Sequence, residues 1–189
     1  MGKERKIILG IDPGTNVMGY GLLLVEEGKP HFLNMGVLLL GKFEDHYTKL
    51  GKIYDKVSFL IQEYKPQEMS IEAPFFGKNV QSMLKLGRAQ GVAIASALHF
   101  SVPVFEYAPL KVKMSVVGNG GASKEQVSFM LQKILSIPKE NMLPQMDATD
   151  ALAVAFCHFQ QSSHLEGKVK SLGSWKEFAM KNPSKVSGL

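Results

Sequence analysis

Cysteine is almost absent. Cys157 stands alone among 189 residues, which excludes a disulfide within the chain and any cysteine-rich zinc site. That usage fits a reducing compartment, so a cytoplasmic location is expected. Long apolar runs are also missing: the longest, Val92 to Phe105, is interrupted by His99, Ser101 and Pro103 and falls short of the ~20 residues of a membrane helix. No membrane partner is expected. The opening MGKERKIILGIDPG has a basic head, but its apolar stretch, Ile7 to Ile11, is too short for a signal-peptide core. Lys6 stands where N-myristoylation needs Ser or Thr. The histidines fall in no metal-ligand spacing, and no Ser, Cys or His nucleophile motif is present. The chain shows no internal repeat and no low-complexity tract.

What is present is a basic, core-forming chain. Its formal net charge is +5, which favours anionic partners such as nucleic acid, and 45% of its residues are hydrophobic. One domain over residues 1–160 is expected, followed by a lysine-rich tail, 161–189, whose weak periodicity suggests partial disorder.

The pattern along the chain predicts an α/β fold. KIILGID reads as a strand, and VMGYGLLLVEEGKPHFLNMGVLLL as two strands joined by a turn at Glu27 to Pro30. From Glu44 to Tyr64 apolar residues recur at three- and four-residue spacing, giving a helix stopped by Pro66. EMSIEAP, NVQSMLKLGRAQGVAIASALHF and VPVFEYAP then alternate strand, helix, strand, which builds parallel pairing and makes the five-stranded sheet mixed. A short helix through Val117, the loop GNGGA, a helix from Ser123 to about Leu135 and a last helix from Asp147 to about Gln160 complete the core. Ser123 with Gln126 matches a capping box.

Carboxylates stand at the ends of these elements. Asp12 and Glu72 each follow a buried-looking strand, where sites collect in α/β folds, and Asp147 and Asp150 sit three apart on an apolar helix. If all four face one cleft, their repulsion calls for a divalent cation, and hard oxygen donors select magnesium or manganese. Each has a structural reading as well. Asp147 resembles a helix N-cap, Asp-Pro-Gly at Asp12 is turn chemistry, and Glu72 alone signals little. Capping leaves Asp150 unexplained, and it is the joint pattern that points to chemistry.

Six ordered motifs, GIDPGT with GYG, IEAPFFGKN, LKLGRAQGVAI, PVFEYAPLKVK, VVGNGGASKEQV and DATDALAVA, resemble the RuvC family of Holliday junction resolvases over about Ile7 to Phe159. The resemblance implies a ribonuclease H-like fold, a homodimer, and a magnesium-dependent endonuclease for recombination and repair. Such an enzyme nicks two strands of like polarity at a four-way DNA junction and leaves a 5′-phosphate and a 3′-hydroxyl. It implies that Asp12, Glu72, Asp147 and Asp150 are catalytic and hold magnesium, two ions per subunit with DNA bound, manganese substituting. A branch-migration helicase complex of the RuvA and RuvB type is the implied partner. Ala73 departs from the polar residue frequent at its position, and the tail lies outside the match.

Basic residues divide between two readings. Lys111, Lys113 and Lys124 flank the glycine loop, and Lys78, Lys85 and Arg88 follow the Glu72 strand. Lys78, Arg88 and Lys111 are candidate DNA contacts, whereas Lys85 reads as a solvated face. Lys124 falls in the first turn of a capped helix, where the macrodipole disfavours a cation unless an anion such as phosphate binds there. By resemblance Lys113 and Lys124 contact DNA, Phe75 stacks on bases at the crossover, and Phe76, Met83 and Leu84 serve the dimer. Gly87, Gly91 and Ala95 form a smooth strip for which packing on the sheet is expected, a subunit contact being the alternative. Two other functions compete: an RNA-processing nuclease of related fold, and a junction-binding protein without catalysis. GIDPGT also looks like the phosphate loop of actin-like ATPases, but the chain is too short for their two domains.

Overall fold

A computed structural model describes residues 5–74 and 79–171, with residues 163–171 described by backbone alone. Apolar alternation sets the first strands, β1 (Arg5–Asp12), β2 (Val17–Glu26) and β3 (Lys29–Leu39). Glu27 and Gly28 both take positive φ, 53° and 73°, the geometry of a two-residue hairpin turn. The turn is therefore shorter than expected: Lys29 and Pro30 belong to β3, and Pro30 lies opposite Val25 on an edge strand, where its missing N–H does little harm.

Helix α1 (His46–Tyr64) starts where Asp45 accepts a 2.6 Å bond from the Thr48 N–H, and stops at Lys65, left-handed before Pro66. It leads to β4 (Glu68–Glu72). Asn79 caps α2 (Val80–His99), which precedes β5 (Val104–Tyr107) and α3 (Pro109–Val117). The predicted capping box opens α4 (Lys124–Ile134), with both the Ser123 and the Gln126 side-chain bonds made. The strand order β3-β2-β1-β4-β5 is antiparallel across the first three and parallel from β1 to β5, the expected mixed sheet.

The sheet separates two cores. Leu9, Ile11, Leu22, Met69 and Ile71 pack with α1 and α2 on one face. Ile8, Leu23 and Met35 pack with α3, α4 and α5 (Met146–Ser171) on the other. Helix α5 lies directly on β1 and β2 because glycine supplies the seat. A Cβ at Gly10 would overlap the Ala151 carbonyl oxygen, one at Gly21 the Leu152 backbone, and one at Gly19 the Asp147 carbonyl. Larger residues there would lift the helix.

Three expectations change. Helix α5 begins at Met146, so Asp147 stands in its first turn rather than at the cap. It also continues past Gln160 to Ser171, since extending an existing helix needs no new nucleus. The chain divides into compact units Met1–Phe159 and Gln160–Leu189. The strip Gly87, Gly91 and Ala95 does not pack on the sheet: all three are exposed, and a Cβ on either glycine would meet nothing within 4 Å. The face of α2 that does pack runs through Ala89, Ala93 and Ala97.

Candidate active site

Strand parity brings the first two carboxylates together. Ile11 and Ile71 are register partners on parallel neighbours β1 and β4, and both point into the α1–α2 core. The next residues, Asp12 and Glu72, therefore turn to the α5 side at the carboxyl ends of adjacent strands, whose spacing is about 4.8 Å. With Asp150, Lys113 and Lys124 they line one cleft, walled by Pro109, Val112, Val127 and Ala153.

The electrostatics show the strain of this grouping. Burial, then the charges of Glu72 and Asp150, pushes Asp12 up to about 8 from an ordinary 3.8. Burial and Asp150 likewise push Glu72 up to about 7. Asp150 is raised by burial, opposed by the Lys124 ammonium that hydrogen-bonds its Oδ2. Burial would depress Lys124, but that bond and the charges of Asp150, Asp12 and Asp147 outweigh it and hold the ammonium above the usual lysine range. The cation on α4 is thus balanced by carboxylates, Asp150 first among them.

Asp147 is the exception among the four. It lines an adjoining cleft with Gly14, Thr15, Asn16, Val17, Ser82 and Leu86, next to the one lined by the other three. Its charge reaches across and acts on Asp12 and Asp150. Among the described residues no three His, Cys, Asp or Glu side chains stand in ready metal-binding geometry. The donor set nevertheless fits a hard divalent cation. Asp12, Glu72 and Asp150 supply only oxygen, their raised proton affinities show charge wanting a counter-ion, and an ammonium already touches one of them.

The remaining candidates scatter. Lys113 lines the carboxylate cleft and lowers both Glu72 and Asp150. Lys111 does not: its ammonium lies 5.4 Å from the Tyr107 ring centre, while Pro109, Val112 and Lys113 of the same helix line the cleft. Arg88 is exposed on α2, away from the cleft wall. Phe75, Phe76 and Lys78 lie outside the described residues. Sequence reading missed Gln90, buried under the site, which donates 2.6 Å to Glu106 Oε1 and 3.5 Å to the Glu72 carbonyl, anchoring the end of β4. A lone glutamine in an apolar helix face was its only signal. Also missed was the chain Lys6, Glu68, His158 and Tyr107. His158 Nε2 lies 2.5 Å from Glu68 Oε2, and its Nδ1 lies 2.7 Å from the Tyr107 hydroxyl, tying α5 to β4 and β5.

The model of the family described as "Crossover junction endodeoxyribonuclease RuvC" matches residues 8–158. The chain is 55% identical to the protein of that name from Porphyromonas gingivalis, covering 98% of this chain and 100% of the relative. With the one from Bacteroides fragilis the identity is 56%, over 97% of each. Its fold superposes on Thermus thermophilus RuvC with a TM-score of 0.72 at 30% identity, covering 84% of this chain and 96% of that one. The same values hold for a structure of T. thermophilus RuvC in complex with Holliday junction substrate. A yeast mitochondrial Holliday junction resolvase, Ydc2, shares the fold with a TM-score of 0.65 at 16% identity, over 85% of this chain and 80% of its own. Six motifs in order, a sheet that sets Asp12 and Glu72 at neighbouring strand ends, and relatives matched along their whole length agree: the chain belongs to the RuvC family of crossover junction endodeoxyribonucleases.

Proposed function

We propose that this chain resolves Holliday junctions by paired, metal-dependent nicks, with Asp12, Glu72, Asp147 and Asp150 as its catalytic carboxylates. The observation that carries the reading is the cleft in which Asp12, Glu72 and Asp150 meet Lys113 and Lys124 in a member of this family. Asp12, Glu72 and Asp150 hold magnesium, or manganese in its place, with Asp147 completing the donor set from the adjoining cleft. Two ions with DNA bound, as the notion of in-line displacement favours, would supply charge for the attacking water and the leaving oxygen. The chain's own groups do the rest. Lys113 and Lys124 meet the phosphate on either side of the carboxylates, and the walls Val112, Val127 and Ala153 limit access of bulk water. Gln90 keeps the Glu72 strand end in register.

The DNA roles of Phe75, Lys78, Arg88 and Lys111 rest on the sequence. Two matched cuts call for a two-fold pair of sites, and the exposed strip Leu84, Gly87, Gly91, Ala95 and Leu98 along α2 suits a homodimer contact. Docking with RuvA and RuvB, a cytoplasmic location, and a nuclease domain of residues 1–160 with tail 161–189 belong to the same reading. Among the described residues no helix is long and apolar enough to cross a membrane.

The test incubates the protein and magnesium with a four-way DNA junction, a linear duplex and a structured RNA. Symmetric nicks confined to the junction are expected, and Asp12→Asn and Asp150→Asn should bind it without cutting. Preferred RNA cleavage, or cutting by both variants, would refute the assignment.

A further inference from the structure

Outside the carboxylate cleft, cations from two helices gather at the same end of the fold. Helices α1 and α2 both start at the end of the sheet where β1 and β4 finish, and run side by side. Ser58 Oγ lies 2.9 Å from Ser96 Oγ, and Ser96 Oγ donates to the Tyr54 carbonyl at 3.4 Å. The first turn of α1 carries His46 and Lys49, and the second and third turns of α2 carry Lys85 and Arg88. Lys85 and Arg88 are exposed and Lys49 is half-buried. Burial depresses His46, and the charges of Arg88, Lys85 and Lys49 depress it further.

No carboxylate among the described residues forms an ion pair with Lys49, Lys85 or Arg88. Asp45 is the acidic neighbour, and its Oδ2 is already committed to the Thr48 N–H and hydroxyl. His46 Nε2 is the one buried side-chain nitrogen or oxygen without a hydrogen-bond partner among the described residues. Like charges brought this close and left unpaired suit an anion with several regularly spaced charges.

The neighbouring surface identifies which anion. Ser82 and Leu86 of α2 form the wall of the cleft that holds Asp147, and Lys85 is one residue from that wall. One helical turn advances about 5.4 Å, while DNA phosphates advance about 3.4 Å along one strand. Lys85 and Arg88, three residues and so about 4.5 Å apart along α2, therefore match neighbouring phosphates of one strand. We propose that Lys49, Lys85 and Arg88 form a second contact for the DNA backbone, gripping phosphates of a junction arm on the α1–α2 side of the scissile bond. The proposal rests on the nuclease reading and gives Lys85 a role in place of the solvated face expected from sequence.

The experiment measures binding of the full chain to an immobile four-way junction in calcium, across a range of potassium chloride. Parent, Lys49→Gln, Lys85→Gln, Arg88→Gln and the triple variant are compared. The slope of log affinity against log salt should fall by about 0.9 for each side chain removed, and by about 2.7 in the triple variant. A neutral methylphosphonate moved stepwise along the arm should, at the gripped phosphates, weaken the parent and leave the triple variant unaffected. Unchanged slopes in a parent that binds would overturn this proposal alone and leave the patch to an acidic protein or to solvent. Variants that sediment as monomers where the parent is a dimer would also overturn it, assigning the cations to the subunit contact. A parent that ignores the junction would overturn both this proposal and the nuclease reading.

Discussion

Asp12→Asn should make the metal-free protein more stable at neutral pH while abolishing its activity. The folded-state value of Asp12 is raised from 3.8 to about 8, chiefly by burial and by Glu72. Below pH 3.8 the group is protonated in both folded and unfolded chains and costs nothing. Between 3.8 and about 8 the unfolded chain has released a proton that the native state retains, so stability falls by about 1.4 kcal/mol per pH unit, and above 8 the loss levels off. At pH 7 the accumulated cost is about 4 kcal/mol. Asp12 keeps an edge on the cleft, where water relaxes part of this, and about 2 kcal/mol is a working figure. Asparagine fills the same space without a proton to hold, so the cost vanishes. For a chain of this size that corresponds to a rise of about 4–8 °C in Tm. Calorimetry in chelator from pH 5 to 8.5 should show the parent's Tm falling with pH and the variant's falling less, the remainder coming from Glu72, raised to about 7. Magnesium should then raise the parent's Tm at pH 8 and leave the variant's nearly unchanged. A parent Tm that climbs from pH 5 to 8 in chelator, or a variant less stable than the parent at pH 8, would refute the electrostatic account of the cleft.

Other substitutions probe other parts of the fold. Lys124→Gln removes the ammonium from Asp150, so titration calorimetry should record tighter manganese binding by the free protein, while junction cutting falls. Gly19→Ala drives a methyl group into the Asp147 carbonyl; urea unfolding should show a loss of about 3 kcal/mol, with cutting reduced more than junction binding. Tyr107→Phe leaves His158 Nδ1 without its partner inside the fold and should cost about 1–3 kcal/mol by the same measurement. Gly91→Arg places a long cation on the exposed strip of α2, and sedimentation should show monomers; an intact dimer would move the subunit contact elsewhere.

The sequence made the strand ends and helix starts legible because local chemistry decides them. Asp45, Asn79 and Ser123 cap where a short polar side chain meets an apolar period, and Asp12 and Glu72 are found by strand parity. What it left hidden depends on contacts between distant segments. Which wall each of Asp147 and Asp150 lines depends on how α5 sits on Gly10, Gly19 and Gly21, and spacing along the helix cannot reveal that seat. Gly87, Gly91 and Ala95 looked like a packing strip because small residues serve any close approach, and the alanines at 89, 93 and 97 perform that packing instead. Lys111 and Lys113 are two residues apart, yet only Lys113 reaches the cleft, since α3 turns Lys111 toward Tyr107.

The division of the interior by the sheet bears on how the molecule tolerates change. Val57 and Ala93 belong to one core, Leu131 and Leu152 to the other, and the strands between them are the shared wall. Substitutions in opposite cores have no common neighbour to relax, so their effects on unfolding free energy should add to within about 0.5 kcal/mol. The face bearing α1 and α2 can therefore be redrawn, for a new partner or an altered arm preference, with little disturbance of the layer that carries Asp150 and Lys124. The converse does not hold for β1 and β4. They are anchored from both sides, and any adjustment of Asp12 or Glu72 must be accommodated by two packed layers at once, which leaves the spacing of these two carboxylates the least adjustable dimension of the fold.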